Sequence, residues 1–383
     1  MTVFSKREAL LHHYVPEFLP HREKELAELE KWFRPLLSED VNVKVHVYGP
    51  MGTGKTVLCN RLGVYLVSEA EKRNIKLKFV NINLAYTPKP YHFMSLLMEK
   101  VVGSPGLGVS PEEMLMNIVE KICKEDLKLV IVLDEVDTYI MERRNPKILY
   151  MLPRVHELDP RAAGRISLIY VSRRLNWLSR LDEATLDTLG RTAAVKLDKY
   201  GIREIEDILS YRVEEAFKPG VVPPEIVEFT AQISYSCGGI RYALELLLGA
   251  GTIADSEGSS DVKAEYVRRV HAGIPKGTNG AIYLDELSLH KQLLLKAVMG
   301  SLRSGRSAYV TFEEAYHLYE VECELIEEEA ENMDTIRSFV EDLRSSGYIL
   351  VKRREEDILL GMEYPFDRLY EVLVKTMEEA RKQ

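Results

Sequence analysis

The sequence predicts an α/β domain with a parallel sheet covered by helices on both faces, followed by an all-helical lid and a C-terminal winged-helix domain. Strand and helix patterns alternate through the first half of the chain. Only helical patterns occur between about residues 197 and 275, and three helical patterns precede two strand-like runs near the end. These changes of pattern place the domains at residues 1–197, 198–277 and 278–383.

The first domain is predicted from strands that are separated by helical segments. Strand patterns occur at 43–48 and 76–83, a helical pattern lies between them at 57–73, and two short apolar runs follow at 129–133 and 166–171. Apolar runs without alternation are typical of strands buried on both faces, as in a parallel sheet with helices above and below it.

The rest of the chain is predicted to contain helices and one β-hairpin. Helical patterns at 201–217 and 239–254 indicate the lid, and a Gly/Pro/Asn-rich break at 273–280 marks its end. The last domain contains three helical patterns and then two strand-like runs, at 284–302, 311–330, 333–346, 348–354 and 358–364. This order is that of a winged helix, a variant of the helix-turn-helix.

Composition limits the class of protein. The chain has 383 residues, of which 46% are hydrophobic and 29% are charged, as in globular proteins of more than one domain. No apolar run approaches the roughly 18–20 residues that span a bilayer, so we expect a cytoplasmic protein with no membrane partner. The four cysteines lie far apart, which argues against a disulfide framework or a cysteine metal cluster.

The net charge is −9, which argues against a protein whose whole surface is basic and binds nucleic acid. The excess is local, because residues 281–383 hold 13 Lys and Arg against 22 Asp and Glu. Seven of those acids lie between Glu320 and Glu331, and a basic cluster follows at Lys352-Arg353-Arg354.

The strongest motif is Gly-Pro-Met-Gly-Thr-Gly-Lys-Thr at residues 49–56, directly after the first strand pattern. Glycines let backbone N–H groups close around phosphate oxygens, Lys55 supplies positive charge to the β- and γ-phosphates, and the Thr56 hydroxyl binds Mg²⁺. The motif predicts binding of ATP or ADP with Mg²⁺ through Gly49, Pro50, Met51, Gly52, Thr53, Gly54, Lys55, Thr56 and Val57.

Asp134 and Glu135 follow the buried run 129–133 and are the candidate catalytic pair. We expect Asp134 to hold Mg²⁺ through water, together with Thr56, and Glu135 to orient or deprotonate the attacking water. An Asp-Glu pair after an apolar run also occurs in the first turn of ordinary helices, so the assignment depends on the P-loop upstream.

Arg241 follows two glycines near the start of a lid helix, where an arginine can reach the γ-phosphate and report the nucleotide state. The alternative is an ordinary solvated arginine at a helix end. The P-loop upstream and the glycine pair favour the first interpretation.

The helix at 333–346 is the candidate recognition helix. Its apolar face is predicted to contain Ile336, Phe339, Val340 and Leu343. The opposite face offers Thr335, Arg337 and Ser338 to a major groove, with Lys352, Arg353 and Arg354 of the hairpin against nearby phosphates. Winged helices also bind proteins, and the acidic balance of this domain disfavours phosphate, so a protein-binding role stays open.

Taken together, these motifs resemble those of the archaeal replication-initiator family of AAA+ ATPases, which is related to the large subunit of the origin recognition complex and to the cell-division-cycle helicase loader. Residues 14–23 look like that family's opening segment beside the adenine. Residues 197–200 and 208–212 are similar to the start of its lid, and 239–247 to its sensor-2 helix.

The resemblance implies a P-loop AAA+ fold, and nucleotide contacts from Val15, Pro16, Arg22, Tyr200, Arg212 and Arg241. It also implies binding to double-stranded DNA at replication origins and recruitment of the replicative helicase, in association with the nucleoid and beside a paralogous initiator. A helical insertion near residues 87–110 would add a second DNA contact.

Two departures from the family pattern concern hydrolysis. The chain has Ser172-Arg173 where Ser-Asn is usual, and Leu181-Asp-Glu-Ala184 where Leu-Asp-Pro-Arg supplies a trans-acting arginine finger. A finger alone contributes about 10³–10⁵ in rate, so we expect slow hydrolysis and a switch rather than a motor. The alternatives are a signal-transduction P-loop ATPase whose winged helix binds a protein, and a regulatory DNA-binding paralogue that does not initiate.

Overall fold

The computed structural model describes the chain except residues 1, 88, 144–146, 191–192, 275–283, 285–286, 305–306, 355–356, 367–369, 371–372 and 374–383. It divides into two compact units, which we name the sheet unit, residues 13–204, and the lid-wing unit, residues 1–12 with 205–383. Within the described residues, no helix is both long and apolar enough to cross a membrane.

The sheet unit is a parallel α/β sheet. Its helices are α1 Glu23–Phe33, α2 Lys55–Lys72, α3 Pro90–Val102, α4 Pro111–Glu125, α5 Val136–Arg143, α6 Lys147–Met151, α7 Val155–Leu158 and α8 Glu183–Leu189. Its strands are β1 Lys44–Tyr48, β2 Lys76–Asn83, β3 Leu127–Asp134, β4 Ile166–Ser172 and β5 Ala194–Lys196. All pairings are parallel, in the order β2-β3-β4-β1-β5, which confirms the predicted sheet.

Strand β3 explains why an uninterrupted apolar run forms a strand here. All eight of its residues are buried. Because side chains alternate along a strand, Val130 and Val132 pack on the face covered by α1 and α2, while Leu129 and Ile131 pack on the face covered by α3 and α4. A strand between two helical layers therefore has no polar face.

The parallel pairing brings three strand ends to one edge of the sheet. Tyr48 of β1 is in register with Ser172 of β4, and Gly49 N donates to Ser172 O at 3.2 Å. Strand β3 lies between β2 and β4 and ends there at Asp134. Ligands of open parallel sheets bind at this carboxyl edge.

The lid-wing unit contains the predicted helical lid and winged helix. The lid helices are α9 Ile202–Ala216, whose first residues belong to the sheet unit, α10 Pro224–Cys237, α11 Gly239–Glu257 and α12 Ala264–Gly273. The winged helix consists of α13 Leu289–Ser304, β6 Tyr309–Thr311, α14 Phe312–Glu324, α15 Met333–Ser345, β7 Leu350–Arg354 and β8 Asp357–Gly361. Its strands form an antiparallel sheet in the order β6-β8-β7.

Two of the predicted helix limits were too wide. The helical stretch expected over 311–330 ends at Glu324, because the chain turns and Glu327 adopts a left-handed φ of 60°. The helix expected from residue 284 begins at Leu289. The predicted domain boundary at 277–278 lies outside the described residues, and the three predicted domain ranges stay a prediction.

A buried arginine joins the lid to the winged helix within the lid-wing unit. Arg268 of α12 is 1% exposed, and it donates to Met362 O at 2.8 Å and to Ala308 O at 3.2 Å. Its guanidinium lies 4.3 Å from the centre of the Phe366 ring. Burial lowers the pKa of Arg268 to about 10, so the group stays charged at neutral pH.

Candidate functional site

The loop between β1 and α2 has the geometry of a phosphate cradle. Gly52 and Gly54 have φ of 80° and 85°, a left-handed backbone that favours glycine. A Cβ on Gly49 would lie 2.1 Å from Leu197 O, so no larger residue fits there. The glycines therefore keep the backbone close and its N–H groups accessible, as a phosphate requires.

Lys55 begins α2 at the end of this loop. Its Nζ donates to Gly49 O at 2.6 Å and to Pro50 O at 2.7 Å. Burial lowers the pKa of Lys55 from its ordinary value, and the nearby carboxylates of Asp134 and Asp137 act in the opposite direction. The cation is thus held at a helix N-terminus, where an anion is favoured.

The oxygen atoms predicted to hold Mg²⁺ meet in the sheet unit. Thr56 Oγ1 donates to Asp134 Oδ2 at 2.7 Å, and Glu135 N donates to Asp134 Oδ1 at 2.9 Å. Asp134 is 5% exposed, and burial raises the pKa of its carboxyl. Hydroxyl and carboxylate oxygens suit Mg²⁺, which usually keeps several waters and binds one or two carboxylates plus phosphate.

No group of three or more His, Cys, Asp or Glu side chains in the described part of the chain could hold a metal alone. Binding of Mg²⁺ by Thr56 and Asp134, with phosphate and water as the other ligands, stays a prediction.

Glu135 has an unusual backbone for its type. Its φ is 58°, which costs a residue other than glycine about 1–3 kcal/mol. Helix α5 begins at the next residue, and Tyr139 N donates to Glu135 O at 3.1 Å. Strain of this kind occurs often at functional sites, and the catalytic role of Glu135 stays a prediction.

Arg22 connects three segments that are distant in sequence. Its guanidinium lies 3.9 Å from the centre of the Tyr200 ring, Nε donates to Thr53 O at 3.2 Å, and Nη2 donates to Asp198 O at 2.6 Å. Burial raises the pKa of Tyr200 to about 12. The Tyr200 hydroxyl would lie 3.3 Å from a Cβ on Gly54, so this stack adjoins the P-loop.

The other nucleotide contacts predicted in the sheet unit are near Arg22 or near the P-loop in the sequence. Val15 and the buried Pro16 are in the loop before α1, and Val57 is in the first turn of α2. Met51 is at the loop tip, with 66% of its surface exposed. The binding of nucleotide by these residues stays a prediction.

Arg212 and Arg241 belong to the lid-wing unit. Arg212 is 5% exposed on α9, and Arg241 is exposed in the first turn of α11. Their contacts with nucleotide stay predictions. Tyr242, the residue after Arg241, was not identified from the sequence. Its hydroxyl lies 2.7 Å from Nδ1 of the buried His271 of α12 and forms a hydrogen bond with it.

The two departures from the family pattern also lie in the sheet unit. Arg173 is exposed directly after β4, and its backbone N donates to Asp137 Oδ2 at 3.0 Å. Ala184 is exposed on α8, and its carbonyl accepts from Arg154 Nη2 at 3.3 Å. The hydrogen bond between Arg173 and Asp137 was not predicted from the sequence, although Asp137 lies only three residues after Asp134.

The candidate recognition helix α15 buries Ile336, Val340 and Leu343, whereas Phe339 is only partly buried. Ser338 is exposed, and Thr335 Oγ1 donates to Asn332 Oδ1, the cap of the helix. A groove of about 330 Å³ lies between α15 and the hairpin, lined by Phe312, Arg337, Val340, Glu341, Arg353, Asp357 and Ile358.

Two of the three basic hairpin residues have acidic partners within the lid-wing unit. Lys352 forms an ion pair with Glu228 of the lid helix α10, and Arg353 Nη2 lies 3.3 Å from Glu341 Oε1. Arg354 is exposed. DNA contacts by these residues stay predictions, as does a contact from the segment 87–110, which contains α3 and a glycine-rich loop.

Comparison with known proteins tests the predicted resemblance. Family models match in three places: an AAA domain at residues 45–178, a Cdc6 AAA+ ATPase-type lid domain at 206–272, and the CDC6 C-terminal winged helix domain at 283–367. The ORC1-type DNA replication protein of Thermococcus kodakarensis is 30% identical over 356 residues, which cover 91% of this chain and 84% of that protein. The chain belongs to the family of ORC1-type DNA replication proteins.

Other members of this family agree with the assignment. ORC1-type DNA replication protein 1 of Aeropyrum pernix is 32% identical over 80% of this chain and 77% of its own length. The structure of Cdc6p from Pyrobaculum aerophilum matches with a TM-score of 0.84 and 26% identity, over 99% of this chain and 100% of that one. The Aeropyrum pernix ORC1 protein solved in complex with DNA matches with a TM-score of 0.64 and 26% identity, over 99% of both chains.

Proposed function

We propose that this chain is an ATP-dependent DNA replication initiator that binds duplex DNA at origins and helps to recruit the replicative helicase. The observation that carries the nucleotide part is the 2.7 Å bond between Thr56 and Asp134, which joins two separate sequence motifs beside the glycine cradle. The DNA part rests on the winged helix and on family membership, since a related ORC1 protein was solved with DNA.

In this proposal the P-loop backbone and Lys55 bind the phosphates of ATP or ADP, and Thr56 with Asp134 holds Mg²⁺. The ion would neutralise charge that develops on the transferred phosphoryl group. Glu135 orients the attacking water and accepts its proton. Val15, Pro16, Arg22 and Tyr200 surround the base, while Arg212 and Arg241 sense the nucleotide from the lid.

Hydrolysis is proposed to be slow. Arg173 replaces the usual asparagine, and Ala184 occupies the place of the finger arginine. Both changes remove groups that act on the transition state, so the bound nucleotide would persist and mark a state of the protein. The chain would then act as a switch bound to DNA in the nucleoid, beside a paralogous initiator.

Footprinting of full-length protein on origin fragments at several salt concentrations tests the DNA part. We expect a specific footprint that survives at roughly 0.2 M salt, because nonspecific phosphate binding weakens steeply with salt. Arg337→Ala should weaken it, whereas Arg269→Ala should not, since Arg269 lies on the lid helix α12 in a pair with Glu257.

A protein-binding winged helix is the second candidate. It is favoured by the pairing of Lys352 with Glu228 and of Arg353 with Glu341, which leaves less positive charge for phosphate. If no origin fragment gives a footprint at any salt concentration, this second candidate replaces DNA binding.

A further inference from the structure

We propose that one face of helix α14 in the winged helix is a docking surface for a basic amphipathic helix of another protein. Three exposed apolar side chains define this surface, which we name the outer face of α14: Leu318, Val321 and Leu325. The inference goes beyond nucleotide and DNA binding, because it involves neither the P-loop nor the candidate recognition helix α15.

The first argument is that this face is apolar although it does not belong to the core. The buried residues of α14 lie on its opposite side: Phe312, Ala315, Tyr316, Tyr319 and Cys323. The helix therefore already has a complete core-facing side. Leu325, directly after the last residue of α14, is 71% exposed. Exposed apolar side chains that share one face are typical of an interaction surface.

The second argument is the spacing of the three side chains. Val321 follows Leu318 by three residues and Leu325 follows Val321 by four, as in the a, d and a positions of a coiled-coil heptad. These positions lie on one side of a helix and span two turns, about 10 Å. The occupant that fits this spacing is a second helix with its own line of apolar side chains.

The third argument is that two backbone hydrogen bonds fix the end of this face. Glu328 N donates to Cys323 O at 3.1 Å, and Glu327 N donates to Glu324 O at 3.2 Å. This pair of bonds forms a Schellman turn after α14. The left-handed residue of the turn is Glu327, with a φ of 60°, where glycine is usual. The sequence thus keeps an acid at a position that favours glycine, and a fixed surface loses little entropy on binding.

The charges near this face determine the chemistry of the partner. Two acids are paired within the winged helix, Glu320 with His317 and Glu322 with Lys296. Four exposed acids form no ion pair with any described residue: Glu324, Glu327, Glu328 and Glu329. Carboxylates repel nucleic acid and attract Lys and Arg beside the apolar positions of a partner helix. A second copy of this chain fits poorly, because a two-fold contact would bring the same acids together.

The outer face of α14 is also separate from the groove between α15 and the hairpin. Phe312 lines that groove and is the first residue of α14, whereas Leu325 follows the last. At 1.5 Å per residue, their Cα atoms lie about 20 Å apart. A partner helix at the outer face therefore leaves the candidate DNA surface accessible, and each of the two proposals can fail without the other.

The test uses a synthetic peptide of about three heptads, with Leu at the a and d positions and Lys at the e and g positions. A control peptide has the same composition in scrambled order, so it keeps the charge but has no apolar line. Fluorescence anisotropy of each labelled peptide, titrated with full-length protein at about 50 mM salt, gives the Kd. We expect a Kd of about 10–100 µM for the heptad peptide and at least about 10-fold weaker binding of the scrambled one.

Variants of the full-length protein locate the binding surface. Leu325→Ser should weaken the heptad peptide about 10-fold, whereas Leu158→Ser, at an exposed leucine of α7, should leave its Kd unchanged. Val321→Thr keeps the shape of the side chain and should weaken the peptide about three-fold. Glu324→Gln should weaken it about two-fold at low salt, and Glu99→Gln, on the exposed face of α3, should not.

Equal binding of both peptides would overturn the inference, because charge alone would then explain the binding. Absence of binding by the heptad peptide, or binding that Leu325→Ser leaves unchanged, would overturn it as well. A dimer of the unmutated protein in analytical ultracentrifugation that Leu325→Ser abolishes would assign this face to a second copy and overturn the proposed partner. Melting temperatures identify a folding defect in Leu325→Ser, in which case Val321→Thr decides the result.

Discussion

The nucleotide site and the winged-helix surface are both built on recognisable motifs, yet their cations are partnered differently. Lys55 Nζ donates to two backbone carbonyls, whereas Lys352 and Arg353 pair with the carboxylates of Glu228 and Glu341. Phosphate that binds Lys55 at the P-loop has to displace the two neutral carbonyl acceptors. DNA phosphate at the hairpin has to compete with carboxylates, so nucleotide affinity and DNA affinity should respond differently to single substitutions.

The largest expected effect is on hydrolysis at the nucleotide site. Glu135→Gln removes the predicted base while it keeps the size of the side chain, so turnover should fall about 100-fold or more from a basal rate below about one per minute. Nucleotide Kd should change little. Phosphate release under single-turnover conditions measures the rate, and Glu99→Gln on the exposed face of α3 is the control. A basal rate well above one per minute would contradict the proposed switch.

The second largest effect is expected on nucleotide affinity, and it distinguishes the nucleotide site from the winged-helix surface. Lys55→Ala removes a cation that the P-loop offers to phosphate, so we expect about 10- to 100-fold weaker binding of ATP and ADP. DNA binding without nucleotide should be unchanged. Titration calorimetry measures the first and footprinting the second. Lys72→Ala, at the exposed end of the same helix, is the matched control.

The sequence predicted more of the nucleotide site than of the rest of the molecule, for a physical reason. The P-loop and the pair Asp134 and Glu135 are contiguous motifs beside strands, and parallel pairing brings them together. The sequence therefore predicted that Thr56 and Asp134 lie near each other, but not the direct hydrogen bond between them. Three-residue strands such as β5 and β6 were not predicted, because alternation cannot be recognised over three residues.

Contacts between distant residues outside these motifs could not be predicted. Arg22 and Asp198 are 176 residues apart, and Lys352 and Glu228 are 124 apart. Nothing local distinguishes Glu228 from the other acids of a lid helix. The burial of Arg268 was also missed, because a charged residue is ordinarily exposed unless its partners are known.

A smaller effect is expected at the hairpin. Glu228→Gln removes the charge that pairs with Lys352, which leaves the lysine available to phosphate. Because the pair is partly exposed, origin DNA affinity should rise only about two- to five-fold at low salt. Glu245→Gln, an exposed acid on the lid helix α11, has the same effect on net charge and serves as the control. An equal rise in both variants would mean that only net charge matters.

The smallest expected effect is a loss of stability of the sheet unit at acidic pH. His46 of β1 is 3% exposed, with its Nε2 2.9 Å from Gly190 O, and burial lowers the pKa of its ring. The folded protein therefore keeps His46 neutral where the unfolded chain binds a proton. Its stabilising contribution is complete above the unfolded pKa of about 6.5 and declines as pH falls below that value.

Tryptophan fluorescence isolates this effect, because both tryptophans, Trp32 and Trp177, lie in the sheet unit, and Trp177 packs 6.0 Å from His46 between ring centres. Urea unfolding followed by fluorescence should give a lower free energy of unfolding at pH 5.5 than at pH 7.5. The difference should shrink in His46→Gln and persist in His317→Gln, since His317 is exposed in the winged helix. If His46→Gln keeps the full pH dependence, other groups of the sheet unit are responsible, and acid does not distinguish the two regions through this histidine.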